Sequence, residues 1–135
     1  MPTLTRWFLK ASLVYLILAL CAGILLALPG NTLIPGLFPV YIHTLAFGWL
    51  TQLIFGVASW MFPKFSSAKP HGHEWLGWAT FVLLNAGLVL RVIFEPLHSK
   101  TPTTFSGWIL VGSALLQWLA GLAFVANTWS RVRER

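Results

Sequence analysis

Four long stretches of this chain are nearly free of charge, and clusters of polar, proline and glycine residues separate them. The apolar stretches cover about residues 7–28, 38–63, 75–96 and 105–129. A run of about 20 apolar residues has the length to cross a hydrocarbon layer of about 30 Å as a helix. Pro29-Gly30-Asn31 closes the first run, and an uncharged loop through Pro35-Gly36 leads to the second. Lys64, Ser66, Ser67, Lys69, Pro70, His71, His73 and Glu74 form the middle connection, and His98, Lys100 and Pro102 the last. The pattern predicts an all-α integral membrane protein with a single domain over residues 1–135. Connections this short favour an antiparallel four-helix bundle. Gly48, Gly56 and Ser59 in the second run, and Gly107, Gly112, Ser113 and Gly121 in the fourth, are candidate close-approach surfaces.

Composition agrees. Of the 135 residues 57% are hydrophobic and 9% charged, and the mean hydropathy is +0.76. That excludes a disordered chain and argues against a water-soluble domain. The formal charge of +6 gives no basic patch for nucleic acid, because the basic residues stand at the ends of the runs. Arg6, Lys10, Lys64, Lys69, Arg131, Arg133 and Arg135 fall on one side of a four-span protein, and Lys100 on the other. This bias predicts a multi-pass protein of a bacterial inner membrane with both termini in the cytoplasm, contacting the lipid bilayer. The first run is read as a retained helix rather than a signal peptide. Cys21, the one cysteine, forms neither an intrachain disulfide nor a cysteine metal motif.

Few side chains carry chemistry. His43 falls about one turn inside the outer end of the second run, where an imidazole needs a hydrogen bond or a metal. Arg91, Glu95 and His98 are spaced i, i+4, i+7, which stacks them on one face if the third helix continues that far. Arg91 reads as the salt-bridge partner of Glu95 or as a counter-charge for an anionic group. His98 reads as a solvated loop residue after Pro96 or as a second metal ligand facing His43. His71-Gly72-His73-Glu74 is a loose metal pattern or a solvated loop. Gln52 and Gln117 are packing residues or the lining of a quinone pocket. No nucleophile–base pair or pair of carboxylates is present, so independent catalysis is not expected.

The run His43-Thr44-Leu45-Ala46-Phe47-Gly48-Trp49, ending at Met61-Phe62-Pro63, resembles the second helix of the haem-copper oxidase catalytic subunit, in particular its cbb and ba types. Leu90-Arg91-Val92-Ile93-Phe94-Glu95-Pro96 is similar to a helix end of small proteins likened to that subunit. The resemblance covers only a small part of the chain. The copper-site histidines and the helix that donates the family's second haem ligand have no counterpart here. It implies that His43 ligates the iron of a b-type haem. On that reading His98, or His43 of a partner subunit, supplies the other axial position, and Arg91, Glu95 and Phe47 border the cofactor. The expected function is that of a cytochrome b-like protein, a homodimer that transfers electrons or handles haem or a gas ligand near the outer face. A respiratory-chain or quinone partner follows from that role. The competing expectation is a non-haem accessory or assembly subunit of a respiratory complex.

Overall fold

A computed structural model describes residues 1–30, 34–62 and 73–132, apart from the side chain of Ser130. Four helices make up nearly all of it: α1 (Thr3–Ala27), α2 (Leu37–Met61), α3 (Glu74–Lys100) and α4 (Thr104–Thr128). A 3₁₀ turn, Trp129–Arg131, follows α4. Each helix is at least 25 residues long and apolar enough to span a membrane. At 1.5 Å per residue such a helix rises about 37 Å. The polar segment with Lys64, Lys69 and His71, and the tail with Arg133, Glu134 and Arg135, lie outside the described residues.

The buried positions show how each helix meets its neighbours. In α1 they are Thr5, Phe8, Ser12, Tyr15, Ala19 and Ala22, a stripe alternating three- and four-residue steps. In α4 the stripe narrows to Ser106, Ser113, Ala120 and Asn127, one small or medium residue per heptad, with Thr128 beside the last. Small residues on such a seam let two backbones come close. Ser113 donates a 2.6 Å hydrogen bond to the Gly87 carbonyl of α3, and a Cβ on Gly87 would lie 2.8 Å from the Ser113 carbonyl oxygen.

Helix α2 is not a uniform α-helix. Its turns widen over Thr44–Thr51 into a π-helix, and Thr51 Oγ1 donates to the Ala46 carbonyl five residues back, at 2.9 Å. The buried residues of α2 explain what the widening does. Val40, Thr44, Gly48, Gln52 and Gly56 are buried at a constant four-residue step. In a pure α-helix that step drifts by about 40° each time. Wider turns reduce the rotation per residue, so the stripe stays on one face.

α1 packs along that stripe. A Cβ on Gly48 would meet the Tyr15 side chain at 2.6 Å, and one on Gly56 would meet Phe8 Cβ at 2.8 Å. Gly23 meets the Tyr41 ring at the other end. Tyr15, Leu84, Leu88 and Ala120 form the central cluster, with Phe55 and Leu83 packed against it. Rings extend it: Phe8 lies edge-on to Phe55 and Phe81, and Phe55 stacks on Phe124 with centroids 3.8 Å apart. Gly48, Gly56 and Ser113 are therefore at helix contacts, as expected. Gly112 and Gly121 have open space where a Cβ would point, and Gly107 meets only the His98 ring, at 3.6 Å.

Pro96 does not end the third helix, which continues to Lys100. His98 is thus a helical residue and not a loop histidine, because the last turn of α3 is held from outside. Thr103 caps α4 with a reciprocal box: its hydroxyl accepts from Ser106 N–H, and its own N–H donates to Ser106 Oγ. His98 Nδ1 bonds the same Ser106 hydroxyl at 2.7 Å and ties the two helices together.

Candidate functional site

His43 is the last residue of the first α-helical segment of α2, immediately before the π-helix. Its Nδ1 lies 2.8 Å from the carbonyl oxygen of Pro39, one turn back. A carbonyl only accepts, so Nδ1 carries a proton, and a neutral tautomer with this bond has its lone pair on Nε2. Metal-ligating histidines characteristically have this arrangement, with the far nitrogen oriented by a backbone carbonyl. The ring is half-buried and stacks on Phe47, with centroids 5.7 Å apart and an angle of 19°. Phe47 is itself 40% exposed, so the pair faces the outside of the chain.

Arg91 and Glu95 form the predicted ion pair, Nη1 to Oε2 at 2.8 Å, with both side chains about 85% buried. They continue the buried stripe Gly77, Thr80, Leu84 and Leu88 of α3. The guanidinium is not fully used, since Arg91 Nε is buried without a hydrogen-bond partner. His98 shares this helix end but turns to Ser106. Among the described residues no hydrogen bond or ring contact joins His43 to His98. Nor do three or more histidine, cysteine or acidic side chains gather as a metal-ligand group there. His71 lies outside the described residues, while the His73 backbone N–H, at the N-cap of α3, donates to Asn127 Oδ1 at 3.0 Å.

Gln52, read from the sequence as a packing residue or a quinone-pocket lining, pairs with Asn85 of α3. Each amide donates to the other at 3.2 Å, and Asn85 Nδ2 also reaches the Phe81 carbonyl at 2.8 Å. Gln52 is 0% exposed, so the pair fastens α2 to α3 inside the bundle. Gln117 bonds Ser113 in its own helix.

Two polar features were not visible from residue types. Arg131 has the form of a topology signal, yet it is buried and donates from Nη2 to the carbonyls of Ser59 (3.0 Å) and Phe62 (2.9 Å). It satisfies carbonyls left free at the end of α2 and lies over the Phe62 ring. Burial lowers its pKa from the ordinary guanidinium value. The second is the π-helix, for which the constant four-residue step of small and polar residues was the available signal.

The chain is thus an all-helical protein with four helices able to span a membrane, carrying an oriented histidine beside an irregular helix segment. Comparisons with family models, curated proteins and solved structures find no match for it.

Proposed function

We propose that this protein is a multi-pass protein of a bacterial inner membrane that binds haem b through His43. The observation carrying the proposal is the Nδ1–Pro39 hydrogen bond, which leaves Nε2 as a ligating nitrogen on an outward-facing ring. Haem would supply one-electron chemistry or a gas-binding position, according to whether its sixth site is filled. The chain's own contribution is to fix the tautomer of His43 and lay Phe47 against it.

A homodimer is part of this reading. No contact joins His98 to His43 among the described residues, and on this reading the partner subunit's His43 is the second ligand. The antiparallel bundle is supported by the pairings Phe8–Gly56, Tyr15–Gly48 and Gly23–Tyr41, in which numbers rise along α1 and fall along α2. Positive charge at the end holding Arg6, Lys10 and Arg131 assigns that end to the cytoplasm, and His43 then lies toward the outer face.

One set of contacts favours the accessory-subunit reading. Gln52–Asn85 fastens α2 to α3 and Arg91–Glu95 pairs within α3, and neither contact needs a cofactor. Spectroscopy separates the two. Protein purified in detergent gives a b-type reduced spectrum, at one haem per two chains, if the partner's His43 completes the site. A colourless protein that rejects added haemin belongs to the accessory class.

A further inference from the structure

The end of the bundle opposite His43 holds a cavity of about 240 Å³ whose wall includes Thr3, Thr5, Ser59, Glu74, Trp78 and Asn127. Among the described residues several of its polar groups keep unused hydrogen-bonding capacity. Thr5 is only 1% exposed, yet its hydroxyl makes no hydrogen bond. Asn127 is 8% exposed; its Oδ1 accepts from the His73 N–H, while its Nδ2 donors are unused. The Ser59 hydroxyl is also unbonded, although its carbonyl accepts from Arg131. The Glu74 carboxylate has no cation within ion-pair distance among the described residues. Among the described residues Arg91 Nε is the one fully buried polar atom without a partner, so the groups of this cavity keep access to its interior, and with the exposed Glu74 they offer it acceptors, donors and a negative charge. Glu74 suits the first turn of α3 through the helix dipole, but that leaves Thr5 and Asn127 unexplained.

Thr3 also borders a neighbouring depression of about 200 Å³ formed with Arg6, Trp7 and Lys10. A carboxylate therefore lies on one side of Thr3 and two cations on the other. Trp7, Trp60, Trp75, Trp78 and Trp129 are all exposed at this end of the helices, the position indoles take at the level of lipid headgroups. We propose that the two depressions together bind the headgroup of an aminophospholipid. Its primary ammonium enters the cavity, donating to Glu74 and to the Thr5 and Ser59 hydroxyls, and its phosphate meets Arg6 and Lys10. The unused Asn127 donors serve the ester oxygens between them. A trimethylammonium headgroup carries the same charge but has no N–H to donate, so this site discriminates against choline lipids.

The test is native mass spectrometry of the full-length protein released from nanodiscs containing equal amounts of phosphatidylethanolamine and phosphatidylcholine. The wild type is expected to retain the ethanolamine lipid with roughly tenfold preference, the scale of one charge-assisted hydrogen bond. Glu74→Gln, which keeps the side chain's shape, should abolish the preference. Thr5→Val should reduce it, and a combined Arg6→Gln, Lys10→Gln variant should lower retention of both lipids. Equal retention by the wild type, or a preference that survives Glu74→Gln, would overturn the proposal. Soluble O-phosphoethanolamine is a separate arm: if millimolar amounts displace the bound lipid completely, the ligand is a soluble amine and the lipid assignment fails. The site is remote from His43, so these outcomes do not depend on haem.

Discussion

Single side chains in this protein are read best through the atoms they leave free. His43 and His98 each use Nδ1, His43 on the Pro39 carbonyl of its own helix and His98 on the Ser106 hydroxyl of the next. The residue types were alike, and only the partners separate them. Arg131 shows the opposite case, a charge that gives up water to close the end of another helix. Arg131→Met should cost about 1–3 kcal/mol, because two carbonyls at the end of α2 lose a charged donor. Thermal unfolding in detergent checks this, and Arg131→Lys should lose less. Arg91→Leu separates the readings of the ion pair: with haem bound it should weaken retention and shift the midpoint potential, whereas a purely structural pair moves neither.

The elements were legible to different degrees, for physical reasons. The apolar runs gave four helices close to their true extents, since twenty uninterrupted apolar residues have few other solutions. Pro96 misled because proline stops a helix only when nothing outside holds the next turn, and here the His98–Ser106 contact does. The π-helix left a weaker trace, the step Val40, Thr44, Gly48, Gln52, Gly56, which depends on knowing which face is buried. Gly48→Ala tests that segment. The added methyl would meet Tyr15 at 2.6 Å, and overpacking of this kind costs about 1–3 kcal/mol. Stability close to the wild type would mean that α1 and α2 do not approach as closely there. Gln52→Leu should destabilise by about 1–2 kcal/mol by orphaning Asn85, and adding Asn85→Leu should recover part of that loss. Strict additivity of the two would remove the amide pair from the account.

At the scale of the molecule, helix length and the placement of charge predict an orientation, and the proposed role of His43 depends on it. With Cys21→Ala as background, Thr101→Cys should react with a membrane-impermeant maleimide in intact spheroplasts, and Thr3→Cys only after lysis. The reverse pattern would move His43 to the cytoplasmic side. Little of the candidate site was legible at this scale. His43 and the Arg91–Glu95 pair could be named from position and spacing, but a second ligand needs contacts that helical spacing cannot supply. The central claim rests on one nitrogen, so the most direct measurement is the dithionite-reduced minus oxidised spectrum of purified wild type beside His43→Ala, each with a pyridine haemochrome assay. The account predicts a sharp b-type spectrum at one haem per two chains for the wild type and none for a folded His43→Ala. A full haem complement in His43→Ala, or a colourless wild type that refuses haemin, would contradict it.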